Sequence, residues 1–157
     1  MERDVRGSED KVNPGTRPPL DDALIAAVVD RFYAAARSDP LLGPIFKRVI
    51  SDAAWRSHLD LISDFWSSLL LGTHRYAGRP MPKHLAIGDL EDEHFVRWLA
   101  LFRETVEALC EPAVAVLFVD RAERIAQSFR LGIAFHRGED TTSIEPLRAQ
   151  LPDGAPT

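Results

Sequence analysis

Apolar residues recur at intervals of three and four residues in four long segments of this 157-residue chain, and this spacing restricts the fold most strongly. Residues spaced in this way share one face of an α-helix, whereas a half-buried strand alternates at every second residue. The four segments begin near Asp21, Ser51, Asp92 and Ala113. No stretch shows a convincing alternation of apolar and polar residues. The pattern therefore predicts an all-α protein of about five helices.

Capping signals predict where these helices begin and end. Asp21 or Asp22 is expected to cap the first helix, and the Ser38-Asp39-Pro40 sequence ends it because a residue before proline avoids helical angles. Ser51 or Asp52 is expected to start the next long helix, and Gly72 to close it. The intervening residues 41–46 are interpreted as a short apolar connection that packs inward.

A long loop is predicted in the middle of the chain, over residues 72–89. Pro82 is well placed as the first residue of a short helical turn, because its fixed φ suits that position. His84 would project from this turn. The longest helices, from about Asp92 to Leu109 and from about Ala113 to His136, follow the loop.

Composition excludes several classes of protein. Hydrophobic residues make up 45% and charged residues 27% of the chain, as in ordinary soluble proteins, and a net charge of -5 argues against binding nucleic acid. No apolar run approaches the roughly 20 residues that span a bilayer, and the charged N-terminus lacks a signal core. A single cysteine, Cys110, excludes an internal disulfide and suits a reducing compartment. We expect a cytoplasmic protein that binds neither nucleic acid nor membrane.

Three regions differ in composition. Residues 1–19 mix charged residues, Gly and Pro without periodicity, so we expect a disordered N-terminal tail. Residues 20–137 carry the helical pattern and form the predicted domain. Residues 138–157 again contain Gly and three prolines, and a flexible C-terminal tail is expected there.

His84 is the candidate metal ligand. It lies after a proline-rich stretch and between two amphipathic helices, where a flat apolar cofactor could be held. Haem is such a cofactor, and its iron takes a histidine as protein ligand. The residue pattern alone allows a second interpretation of equal weight, a surface histidine in a loop.

Three further side chains are candidates for the space beyond the iron. Tyr33 is buried by its helical phase and requires a hydrogen-bond partner, Trp98 donates through its indole N–H, and His58 shares a helix surface with Trp55 and Ile62. Each also has an ordinary interpretation, as core packing for Tyr33 and Trp98 and as a helix-rim histidine for His58. Phe32, Phe46 and Trp66 are interpreted as apolar walls.

Basic residues surround the candidate ligand. Arg75, Arg79 and Lys83 are candidates to bind haem propionates, and Tyr76, which lies among them, is a candidate haem-pocket residue. A solvated basic loop is the alternative. Glycine-rich phosphate loops, zinc-binding HExxH helices and GxSxG elbows do not occur in the sequence.

Over about residues 20–137 the chain resembles the truncated haemoglobins, specifically their third group. The matching stretches, in the same order, are RFYAAARSDPLLGPIFKRVI, WRSHLDLISDFWSSLLLGTHRYAGRPMPKHL, EHFVRWLALFRETV and ERIAQSFRLGI. The resemblance implies a shortened globin, a two-on-two helical sandwich around haem b with a mostly non-helical stretch before His84. Glu91 stands where relatives commonly place Ser or Thr, so a weaker helix cap is expected there.

The resemblance also implies a role for each candidate. His84 corresponds to the proximal iron ligand, and Tyr33, Trp98 and His58 to the distal residues near bound gas. The apolar haem-pocket residues of the family correspond here to Phe32, Phe46, Ile62 and Trp66.

Such a site is expected to bind O2, NO or CO. Two donors to bound O2 would slow its release, which suits a protein that holds, scavenges or senses gas rather than a carrier. The alternative is a haem enzyme for NO dioxygenation or peroxide reduction that depends on an external electron donor or reductase. Peroxidase chemistry favours a carboxylate partner for the proximal histidine, and Asp89 is the candidate partner of His84.

Overall fold

The computed structural model describes residues 18–150, and every regular element in that range is helical. A single 3₁₀ turn, Asp52–Ala54, precedes the third helix. None of the described helices is both long and apolar enough to cross a membrane. Of the N-terminal tail expected over residues 1–19, residues 1–17 lie outside the described residues. The six α-helices are α1 Asp22–Ser38, α2 Gly43–Val49, α3 Trp55–Leu71, α4 Pro80–Leu85, α5 Asp92–Leu109 and α6 Pro112–His136.

Two pairs of long helices form the body of the protein. Helix α1 packs against α3, α5 packs against α6, and contacts between α1 and α5 join the pairs. Phe32, Leu99 and Phe118 are fully buried where the pairs meet. This arrangement confirms the predicted all-α class with helices stacked two on two. The short helix α4 contacts α6, which places His84 beside the second pair.

The caps of the first and third helices lie at predicted residues. Asp21 caps α1, because its carboxylate accepts the N–H of Leu24 at 2.9 Å. Ser51 caps the 3₁₀ turn before α3 through the N–H of Ala54. Gly72 ends α3 with a φ of 67°, the left-handed conformation in which glycine avoids the steric cost of a Cβ.

The connection predicted over residues 41–46 is wrong, because a helix, α2, begins at Gly43. Asp39 stabilises the preceding turn, since its carboxylate accepts the N–H groups of Leu41 and Leu42, both at 3.0 Å. A Cβ at position 43 would clash with the carbonyl oxygen of Arg37, so glycine permits the close approach of α1 and α2. Short helices of this kind depend on such tertiary contacts, which a periodicity argument does not detect.

Helix α4 begins earlier than expected, whereas α5 begins at Asp92 as predicted and differs only in its cap. Pro80, not Pro82, is the first residue of α4. At the start of α5 the N–H of Glu91 donates to Nδ1 of His94 at 3.0 Å, so the cap that was expected to be weak is supplemented by a histidine side chain.

The C-terminal segment, defined here as residues 144–149, runs over α5 and α6. Three long side chains donate to its carbonyl groups: Gln127 to Ile144, Arg130 to Glu145 and Arg103 to Ala149. Ala149 is buried, and its N–H donates to Glu123 at 2.9 Å. This part of the expected flexible tail is therefore bound to the helices in the structure.

Candidate functional site

His84 lies near the end of α4 with one ring nitrogen already engaged. Its Nδ1 is 2.8 Å from the carbonyl oxygen of Pro80, one helical turn earlier. Because a carbonyl can only accept, Nδ1 carries the proton and Nε2 keeps a free lone pair. The ring stacks on Phe129 of α6, with centroids 4.0 Å apart and planes inclined by 15°. These two contacts fix the orientation of the imidazole and leave Nε2 available to a further partner.

Burial favours the neutral form of this ring. It lowers the pKa of His84, and the bond to Pro80 offsets that effect only in part. A neutral imidazole is the form that binds a metal. The neutral protonation state and the orientation of the His84 ring are therefore both compatible with metal binding.

The structure pairs Asp89, the candidate carboxylate partner of His84, with a different residue. Asp89 instead forms an ion pair with Arg48 of α2, with its two oxygens 2.6 and 3.1 Å from the guanidinium nitrogens. The partner of His84 is a backbone carbonyl, which makes an imidazole less electron-rich than a carboxylate does.

The phenol of Tyr33 on α1 lies close enough to the indole of Trp98 on α5 for the indole N–H to affect its pKa. Because an indole N–H can only donate, it cannot accept the phenol proton, which remains for another acceptor. Burial raises the pKa of Tyr33 far above its ordinary range, and the nearby indole N–H of Trp98 offsets that effect only in part. The phenol is thus a neutral donor at any physiological pH.

His58 on α3 lies beside Tyr33. Its ring centroid is 6.2 Å from that of Tyr33. Burial lowers the pKa of His58, and the charge of Lys83, together with that of His84 whenever its ring is protonated, lowers it further.

Aromatic and aliphatic side chains enclose the remaining sides. Phe46 of α2 and Trp55 of α3 pack edge-on against Tyr33, with centroids 5.7 and 6.4 Å away. Ile62 is partly buried on the same helix as Trp55. Phe32 and Trp66 lie deeper, since Phe32 contacts the back of Tyr33 and Trp66 stacks on Phe102 in the core.

The predicted propionate donors occupy different settings. Arg75 forms an ion pair with Asp22 at 2.6 Å, Arg79 precedes α4, and Lys83 lies on α4 close enough to His58 to affect its charge. Tyr76 packs edge-on against Phe65 at 5.2 Å. Of the three basic candidates, Lys83 is the one whose charge acts on His58.

Two residues of the site were not assigned a role from the sequence. Phe129 supports the ring of His84, and Trp55 contacts both Tyr33 and His58. Trp55 shares a helix face with His58, so its spacing was an available signal. Phe129 lies 45 positions after His84 and carries no local signal of the contact.

The donor set fits haem and does not fit a bare metal ion. Within residues 18–150 no group of three or more His, Cys, Asp or Glu side chains could hold a metal. One neutral imidazole, apolar walls and a phenol donor instead match the needs of an iron porphyrin, which brings its own four nitrogen ligands. His84 would hold the iron, and Phe46 and Ile62 would contact the ring.

The comparisons with known proteins agree with this fit. No family model matches the chain. The group 3 truncated hemoglobin ctb of Campylobacter jejuni is 37% identical over 113 residues, which are 71% of this chain and 89% of that protein. The crystal structure of group III truncated hemoglobin from Campylobacter jejuni superposes with a TM-score of 0.68 and 35% identity, covering 71% of this chain and 90% of that one.

Proposed function

Because this chain belongs to the group III truncated haemoglobins, we propose that it holds haem b through His84 and binds a diatomic gas beside Tyr33, Trp98 and His58. The observation that carries the proposal is the bond from Nδ1 of His84 to Pro80, which leaves Nε2 as the ligand atom. Bound haem supplies an iron that combines with O2, NO or CO. We place this function in a cytoplasmic domain of residues 20–137.

Tyr33 is proposed to stabilise a bound gas whose outer atom carries negative charge, as that of O2 does on iron. Its proton is available because the neighbouring indole N–H of Trp98 can only donate and cannot accept it. A hydrogen bond to a charged acceptor is worth roughly 1.5–3 kcal/mol, and a second donor such as Trp98 or His58 adds to it. Such stabilisation slows release, which favours holding, scavenging or sensing O2 over transport.

The surrounding side chains are proposed to exclude water from the gas. Phe46 and Trp55 border Tyr33, and Phe32 fills the space behind it without exposure to solvent. A dry surrounding strengthens the bond from the phenol, because fewer waters compete for the same acceptor. His58, kept neutral by its lowered pKa, could donate without bringing a charge into this space.

A peroxidase role has less support. It depended on a carboxylate beside His84, and the structure pairs Asp89 with Arg48 instead. Gas binding is therefore our conclusion, and an external reductase is required only if the oxygenated protein turns over NO. Mixing that form with NO in a stopped-flow instrument and measuring nitrate would detect such turnover.

The test is a haem titration of the wild-type protein and of His84→Ala, with His136→Ala as the control. His136 is exposed at the end of α6, so its loss leaves the proposed ligand unchanged. We expect the wild type and His136→Ala to bind one haem per chain and to give a five-coordinate ferrous spectrum that changes when CO binds. We do not expect this result for His84→Ala. A wild type that takes up no haem, or a His84→Ala spectrum identical to that of the wild type, would overturn the proposal.

A further inference from the structure

Arg137, one residue beyond the end of α6, holds the loop that follows His84. We call residues 86–91 the proximal loop. The guanidinium of Arg137 donates to the carbonyl oxygens of Gly88 and Leu90 and to the carboxylate of Glu91, each at 3.1 Å. A planar guanidinium suits this task, because its several N–H groups point in fixed directions.

A second arginine holds the same loop from another helix. Arg48 of α2 forms two hydrogen bonds with Asp89, at 2.6 and 3.1 Å. Two basic residues from separate elements thus converge on residues 88–91.

Packing alone leaves α4 incompletely supported on the side of Arg137. A cavity of about 190 Å³ lies between α4, the proximal loop and the end of α6, and Leu85, Ile133 and Arg137 are among its lining residues. The ring of Phe129 stacks on His84 itself. Where a cavity replaces side-chain contacts, the position of a short helix depends more on hydrogen bonds at its ends.

We propose that Arg137 is a positioning residue, which fixes the direction of the His84 imidazole by holding the proximal loop. The inference rests on the proposed function only in taking His84 as the iron ligand. The chain of contacts runs from Arg137 to Gly88 and Leu90, and from there along the backbone to α4. The conservative change Arg137→Lys keeps the positive charge but removes the planar guanidinium group that donates to two carbonyl oxygens at once.

The first experiment measures amide hydrogen exchange in Arg137→Ala, with and without haem. Ala86 and Ile87 report on α4, because their N–H groups donate to Pro82 and His84. We expect the exchange rates of these two amides to be about tenfold higher or more in Arg137→Ala than in the wild type. The rates in Arg137→Lys should lie between those of Arg137→Ala and the wild type. Arg124→Ala is the matched control, since Arg124 forms an exposed ion pair on the same helix. Unchanged exchange at both amides in Arg137→Ala would overturn the proposal.

The second experiment records the iron–histidine stretching band of the ferrous protein by resonance Raman spectroscopy. We expect the band of Arg137→Ala to shift and broaden and that of Arg124→Ala to match the wild type. A merely structural role of Arg137 would lower stability and leave this band unchanged, which would contradict the proposal. If the wild type takes up no haem, the proposed function fails, and exchange at Ala86 and Ile87 in the haem-free protein still tests the hold on the loop.

Discussion

At the scale of single residues, the site depends on which proton each polar atom carries. The carbonyl of Pro80 fixes the proton of His84 on Nδ1, and the indole of Trp98 leaves the proton of Tyr33 free to be donated. Burial keeps both groups neutral, since it lowers the pKa of His84 and raises that of Tyr33. The proposed ligand atom, Nε2 of His84, and the proposed donor, the phenol of Tyr33, are therefore both in the protonation state that their proposed roles require.

Tyr33→Phe should release O2 faster. The change removes one hydrogen bond to a charged acceptor, so we expect a rise of about tenfold or more in the dissociation rate constant. Stopped-flow displacement of O2 by CO measures this constant. Tyr76→Phe is the matched control, because Tyr76 is the only other tyrosine and contacts Phe65 outside the distal group. Equal rates for Tyr33→Phe and the wild type would contradict the role of the phenol.

The sequence identified the candidate residues more readily than their partners. Residue type and helical phase suffice to select Tyr33, Trp98 and His84, because few side chains can serve as ligand or donor. The partner of His84 could not be deduced, since Asp89 is nearby in sequence and the start of the short helix at Pro80 has no periodic signal. Long-range partners such as Phe129 depend on how α4 lies on α6, which no local pattern specifies.

At the scale of elements, the junction between α1 and α2 depends on one buried carboxylate. Asp39 accepts the N–H groups of Leu41 and Leu42 and an ion pair from Arg97 of α5 at 2.7 Å. Burial alone would raise the pKa of Asp39, but the bonds from Arg97, Leu42 and Leu41 outweigh it and hold the pKa below its ordinary value of 3.8. This junction positions Phe46 of α2 against Tyr33.

Asp39→Asn should destabilise the protein at neutral pH. The ion pair with Arg97 is lost, and one amide oxygen replaces a charged acceptor, so we expect a loss of about 1–3 kcal/mol in unfolding free energy. Urea unfolding measures it. Asp60→Asn is the control, because Asp60 pairs with Arg56 at an exposed position where such pairs contribute little.

The unfolding free energy of Asp39→Asn should fall less on acidification than that of the wild type. The pKa of Asp39 is lower in the folded than in the unfolded chain, so its contribution is complete above 3.8 and is lost as the pH falls through the lowered value. Urea unfolding repeated between pH 7 and about pH 3 should show the gap between wild type and Asp39→Asn narrowing on acidification. A gap that stays constant over this range would exclude the proposed pKa difference.

At the scale of the whole molecule, two helix pairs and the C-terminal segment form one packed unit. Periodicity predicted the long helices well, because their apolar faces are wide and regular. It did not predict the attachment of residues 144–149, since hydrogen bonds from Arg103, Gln127 and Arg130 to backbone carbonyls leave no mark in the sequence of that segment. Arg130 is itself buried and also binds Asp92 through two hydrogen bonds.

Ending the chain at Ser143 should lower the unfolding free energy by about 2–4 kcal/mol, because several side-chain bonds and the burial of Ala149 are lost together. Urea unfolding of this variant against one that ends at Gln150 isolates residues 144–150. Equal stability of the two truncated proteins would show that the attachment contributes nothing.

The most direct test of the central claim is rescue of His84→Gly by imidazole. The account predicts that the ferrous haem complex of this variant lacks the iron–histidine stretching band, and that free imidazole restores the band and the five-coordinate spectrum. The space left by the missing ring, between Pro80 and Phe129, should admit the added imidazole. A wild-type band retained in His84→Gly without imidazole would mean that another residue holds the iron and would contradict the account.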